Sequence, residues 1–192
     1  MSESVQVRTR RWSRVEYDRL IETGFLGPGD KVELLGGQLC VSEPQKSPHA
    51  RAISLGLEAI QRALAPGWHV RVQLPIALDD ESEPEPDLAV VSGGPRDYAD
   101  HPSRPALVVE VADSSLALDR EHKGSLYARA RLPEYWIVNL VDRMLEVYRN
   151  PGPDASASYG WAYRVMMTVG SGENVTPLAA PAASIPVADL LP

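Results

Sequence analysis

Pro86-Asp87-Leu88-Ala89-Val90-Val91 and Ala106-Leu107-Val108-Val109-Glu110-Val111 are the two stretches on which the reading of this sequence turns. Each is a short apolar run rich in valine, with the length and composition of a strand buried on both faces. Each also carries one acid: Asp87 stands directly before the first run, and Glu110 near the end of the second. An ionised carboxylate inside an apolar strand is costly unless it is paired or bound to a metal. At a strand end it reaches a cleft at modest cost. The two acids therefore mark both the middle of a sheet and a candidate site, because carboxylate oxygens are the ligands that a hard cation such as Mg2+ prefers.

Outward from these strands, Ser13 and Glu16 have the spacing of a capping box and predict a helix over residues 15–23. Gly24 and Gly27-Pro28-Gly29 end it. Gly36-Gly37, between runs at 31–35 and 38–41, reads as a two-residue hairpin turn. Ser47-Pro48 suits a helix start. Ile53, Leu55, Leu57, Ile60 and Leu64 carry that helix over residues 49–64, where Pro66-Gly67 stops it. Residues 68–78 read as a strand bent at Pro75, and 79–86 as an acidic, proline-rich loop. After the two buried strands, 117–131 reads as a helix closed by Leu132-Pro133. Runs at 135–138 and 144–149 form a strand pair, and 159–169 a further strand. The tail, 171–192, is rich in Ala, Pro and Gly; it is expected to wrap the surface and hold a short strand. This order predicts an α/β protein in the broad sense, an α+β mixed sheet with helices on its faces. One domain over residues 1–192 is expected, with its core at about 12–170.

A chain of 192 residues, 44% of them hydrophobic, suffices for one domain with a proper core. The net charge of −7 argues against a passive nucleic-acid coat. It does not oppose an enzyme that meets DNA through one local patch and a divalent metal. Arg8, Arg10, Arg11, Arg14 and Arg19 cluster near the start and read as a solvated arm and helix face. The single cysteine, Cys40, excludes an internal disulfide and a cysteine-based zinc cluster. It is expected to be a buried strand residue. His69, His101 and His122 show no ligand spacing and read as surface residues; Trp68, Trp136 and Trp161 read as core or sheet packing. With no membrane-length apolar run and no signal-peptide pattern, a cytoplasmic protein that makes no membrane contact is expected.

The helix over 117–131 adds a third element to the two acids. Leu116, Asp119, Lys123, Leu126, Tyr127 and Ala130 are spaced by three or four residues and share one face. That face is largely apolar and should point inward, so Lys123 needs carboxylates nearby. The chain has only three lysines, Lys31, Lys46 and Lys123, against sixteen arginines. A compact ammonium whose pKa can shift suits work beside a reacting phosphate.

Taken in order, these residues resemble the PD-(D/E)XK nucleases, and more closely the Uma-type putative restriction endonuclease family. The likeness is carried by Val32-Glu33-Leu34-Leu35-Gly36-Gly37-Gln38-Leu39, Ser47-Pro48-His49, Glu83-Pro84-Glu85-Pro86-Asp87, Val109-Glu110-Val111, Asp119-Arg120-Glu121-His122-Lys123 and Pro133-Glu134-Tyr135-Trp136. It covers about residues 12–136, and more loosely those beyond. In the wider superfamily the lysine stands two residues after the glutamate. Here that position is Ala112, and Lys123 on the following helix takes its place.

The resemblance implies a restriction-endonuclease-like core and a metal-dependent endonuclease that hydrolyses DNA phosphodiester bonds. Asp87 and Glu110 would hold one or two Mg2+ ions, with Mn2+ as a substitute. Lys123 would orient or deprotonate the attacking water, or neutralise the phosphate. Glu33 matches the family's upstream acid and would add a ligand or a supporting contact. His49, Gln73 and Tyr127 are supporting candidates, the last two as cleft-lining residues, although Tyr127 also suits the core. The alternative reading is a catalytically inactive DNA-binding or assembly module on a nuclease fold; the presence of all three key residues disfavours it, while the acidic balance and Ala112 leave room for it. A metal enzyme acting on another phosphodiester is the third. A homodimer is expected on functional grounds alone, since cutting both strands of a duplex needs two sites.

Overall fold

The computed structural model of the chain describes residues 9–27, 29–42 and 44–192. Arg8 of the basic cluster and Pro28 of the first turn lie outside the described residues. The chain begins with α1 (Arg14–Glu22), the hairpin strands β1 (Val32–Leu35) and β2 (Gln38–Val41), and α2 (Ser47–Ala63). Strands β3 (Trp68–Val72), β4 (Leu88–Ser92) and β5 (Leu107–Ala112) follow. Next comes one helical stretch made of α3 (Leu116–Leu118), a π-helical turn (Asp119–Lys123) and α4 (Gly124–Arg129). Strands β6 (Glu134–Asn139), β7 (Met144–Pro153) and β8 (Trp161–Gly170) come after it. The chain closes on the short strands β9 (Asn174–Val175) and β10 (Ile185–Pro186) and a 3-10 turn (Val187–Leu190).

Local chemistry explains where these elements start and turn. The capping box at α1 is complete: the Glu16 N–H donates to Ser13 Oγ at 3.3 Å, and the Ser13 N–H donates to Glu16 Oε2 at 3.1 Å. Gly36 and Gly37 have φ of 56° and 79°, the left-handed pair that a tight hairpin turn requires. The strand expected over 68–78 stops at Val72, because Gln73 takes φ of 48° and breaks the extended run.

The two acid-bearing runs lie side by side near the centre of a six-stranded mixed sheet, in the order β3-β4-β5-β6-β7-β8. Only β5 and β6 are parallel among these neighbours. A parallel pair needs a crossover connection, and the crossover is the helical stretch that carries Lys123. One face of the sheet packs on α2 through Ile53, Ile60, Leu88, Val109, Trp136 and Val147. On the other, Ala89, Val108, Tyr135 and Ile137 pack with Tyr127 of α4. The mixed α+β arrangement, with helices on both faces of a mixed sheet, is the one expected from the sequence.

The tail differs from expectation. Val175, Ile185, Val187, Leu190 and Leu191 belong to the same buried cluster as α2 and the sheet. The core therefore runs well past residue 170, because a few well-spaced apolar residues fill the groove beside α2 despite the tail's Ala, Pro and Gly content. Cys40 is only half-buried, since β1 and β2 form a separate two-stranded sheet. Trp136 is fully buried, whereas Trp68 and Trp161 are half-buried. Among the described residues, no helix is long and apolar enough to cross a membrane.

Candidate active site

The β4–β5 register explains how the two acids meet. Leu88 pairs with Val109, so the next step along the antiparallel ladder sets Asp87 opposite Glu110. Opposed residues on neighbouring strands project from the same face of the sheet. Asp87 is fixed by three donors from different elements. The Val111 N–H donates to its Oδ2 at 2.8 Å, Gln73 Nε2 donates to its Oδ1 at 3.3 Å, and His49 Nε2 lies 3.1 Å from Oδ1. The left-handed turn at Gln73 brings its side chain back to Asp87, and the first turn of α2 delivers His49.

Glu110 is 3% exposed. Its Oε1 accepts from Lys123 Nζ at 3.0 Å and from the Tyr127 hydroxyl at 2.6 Å. Lys123 also lies 3.2 Å from Glu33 Oε2. The hairpin is thereby drawn onto the sheet's site, and Glu33 is held in turn by Ser42 Oγ at 2.8 Å and the Glu85 N–H at 3.1 Å. Lys123 is thus buried between two carboxylates, and not paired on the surface with Asp119 or Glu121.

The π-helical turn makes this placement possible. At 3.6 residues per turn, a four-residue step along an α-helix overshoots a full turn by about 40°. In the π turn the Gly124 N–H reaches back to the Asp119 carbonyl, five residues earlier, so the same step falls short of a turn. The shortfall from Asp119 to Lys123 offsets the overshoot from Lys123 to Tyr127. All three side chains stay on one narrow, buried stripe. Such turns are frequent at functional sites.

A cleft of about 910 Å³ joins these groups: Glu33, His49, Gln73, Asp87, Glu110 and Lys123 all line it. Tyr127 does not. It is fully buried behind Glu110, which it holds through its hydroxyl, so its place is in the core rather than on the cleft wall. The structure adds Asp119, buried on the cleft wall and held by Ser115 Oγ at 2.6 Å. Its position four residues before Lys123 on an apolar face was the signal for it. Glu85 also lines the cleft, with nothing in the sequence pattern to separate it from the acidic loop around it.

Burial dominates the electrostatics. It pushes the Glu110 carboxyl well above its ordinary range against the pull of Lys123, and raises Asp119 in the same way. Burial alone would depress the Lys123 ammonium, but the charges of Glu110, Glu33 and Asp119 hold it well above its usual value. Four buried acids, Glu33, Asp87, Glu110 and Asp119, line the same cleft as one buried ammonium. That excess of hard oxygen donors fits a divalent cation. Among the described residues, no three or more His, Cys, Asp and Glu side chains form a ready-made metal cluster.

Comparison with known proteins supplies a family and a fold. A family model described as putative restriction endonuclease matches residues 14–188. A search of curated proteins gave no match. Among solved structures, the chain is similar to a putative nuclease belonging to DUF820 from Anabaena variabilis. The TM-score is 0.65 at 15% identity, covering 88% of this chain and 94% of that one. At that identity the likeness establishes a shared fold.

Proposed function

The chain belongs to the Uma2 family of putative restriction endonucleases, and from that premise we propose that it is a metal-dependent endonuclease hydrolysing DNA phosphodiester bonds. The observation that supports this reading best is the union of Asp87, Glu110 and Lys123 at one end of neighbouring central elements, all lining one cleft. Asp87 and Glu110 would hold Mg2+, or Mn2+ in its place. Bound there, the ion would acidify a water and stabilise the charge that grows on the phosphate.

The protein's own groups have separable tasks. The Val111 N–H, Gln73 and His49 hold the Asp87 carboxylate in one orientation. Tyr127 does the same for Glu110 from behind. An ammonium has three N–H donors, and Glu110 and Glu33 engage Lys123 on two sides. The remaining N–H is available to orient a water or to neutralise a phosphate oxygen. Glu33 positions Lys123 and draws the hairpin over the site.

The test is cleavage of plasmid and oligonucleotide DNA by the purified protein in Mg2+, in Mn2+ and in EDTA. Cleavage should require the metal. Asp87→Ala and Glu110→Gln should each lower the rate by about 100-fold or more, as expected when a group that stabilises transition-state charge is lost. DNA binding without any cleavage would select the inactive-module reading instead.

A further inference from the structure

The cleft wall carries two chemically different kinds of group. The carboxylates and Lys123 are one. Ile21 of α1, Val41 of β2 and Leu118 of α3 are the other: they line the same cleft while staying 47%, 75% and 39% exposed. Exposed apolar side chains beside charged ones suit an interaction site. The cations are equally particular. All three lysines of the chain line this cleft, and among the described residues no arginine does. Lys123 is buried among acids; Lys31 and Lys46 are the exposed lysines of the cleft wall, and Lys46 Nζ lies 3.1 Å from Asp113 Oδ2 on the same wall. Away from the cleft, acids of the chain engage Arg10, Arg11, Arg62, Arg120, Arg129 and Arg149.

These two features do not match a continuous duplex. A protein that grips duplex DNA by its backbone typically neutralises about 6–10 phosphates, and a duplex keeps its ring faces stacked inside. An unpaired strand offers the reverse. Its electrostatic demand per phosphate is weaker, and its bases present open ring faces that seek apolar surface. A cleft of about 910 Å³ is also the size of a small-molecule site, which admits a short length of one strand and not two.

We infer, resting on the nuclease reading above, that the substrate is single-stranded or locally unpaired DNA. The strand passes Lys31 and Lys46, sets one phosphate at Asp87, Glu110 and Lys123, and lays an adjoining base against Ile21, Val41 and Leu118. A strand of this kind is cut at one site, which removes the functional reason for a homodimer.

The experiment compares one labelled oligonucleotide in three forms: single strand, perfect duplex, and duplex with a central unpaired loop. Binding is read by fluorescence anisotropy in EDTA and cleavage in Mg2+. The single strand and the looped duplex should be bound and cut at least about tenfold better than the perfect duplex. Ile21→Asn and Leu118→Asn should weaken single-strand binding by about fivefold, as for a lost base contact, and leave duplex binding unchanged. If thermal melting shows either variant to be unfolded, the exposed and nearly isosteric Val41→Thr takes its place. Equal or better handling of the perfect duplex overturns the inference, as does equal weakening of both forms in the variants. With cleavage still dependent on Asp87, the nuclease reading survives either result. Failure to cut any form overturns the nuclease reading, and this inference with it.

Discussion

Glu83 is 2% exposed, and its Oε2 has no hydrogen-bond partner among the described residues. Arg14 Nη1, 3.7 Å from Oε2, is too distant to supply one, and His101 Nε2 lies 3.8 Å from the other oxygen, Oε1. Burial, helped by the charge of Asp18, raises this carboxyl to about 7 from an ordinary value of 4.5. A folded-state pKa above the unfolded one means that the native state holds the proton more tightly. The protein is therefore most stable, as far as this group is concerned, below about 4.5, and loses that stability as pH rises to about 7. Glu83→Gln removes the ionisation. Melting curves of both proteins should nearly coincide at acid pH and separate at mildly alkaline pH, with the variant higher by about 1–2 kcal/mol, or roughly 2–8 °C. Curves that keep the same spacing at both pH values would show that Glu83 titrates normally. At this scale the sequence was uneven. Asp87 and Glu110 were legible because each stands at the end of an apolar run, where an acid needs a reason. The contact between Lys123 and Glu33 was not, because it joins residues ninety positions apart through a hairpin whose docking no local pattern encodes.

The helix between β5 and β6 shows the same limit for elements. Its apolar stripe was readable, and Lys123 does face inward. The π turn was not, because apolar spacing of three and four residues is compatible with either geometry. Glu121 and His122, both exposed, lie within that turn. Deleting His122 should restore five-to-one bonding and an unbroken α-helix. With Lys123 and Tyr127 kept in place by Glu110, the preceding residues must then rotate by about 100°, which carries Asp119 away from the cleft. The helix content and melting temperature should stay close to those of the parent protein, read by far-UV circular dichroism. DNA cleavage should fall about tenfold or more. Unchanged cleavage in a folded deletion variant would mean that the π turn is a packing accommodation with no bearing on the site.

At the scale of the whole molecule, the mixed sheet with helices on its faces followed from the alternation of runs and breakers, while the strand order and the ending of the chain did not. Composition pointed to a surface strap, because Ala, Pro and Gly outweigh the apolar residues in number. Position matters more than number here. Leu190 is 1% exposed and, with Val187, belongs to the cluster that holds α2 against the sheet. The first turn of α2 in turn carries His49 to Asp87. The tail thus supports the site at a distance, by fixing the helix that supplies one of its donors. Leu190→Ala leaves a hole in a close-packed region and should cost about 2–5 kcal/mol in urea denaturation. A strap lying on the surface would tolerate the same change within about 0.5 kcal/mol. The two pictures are therefore separated by one denaturation curve, and a cost below about 1 kcal/mol would place Leu190 outside the core.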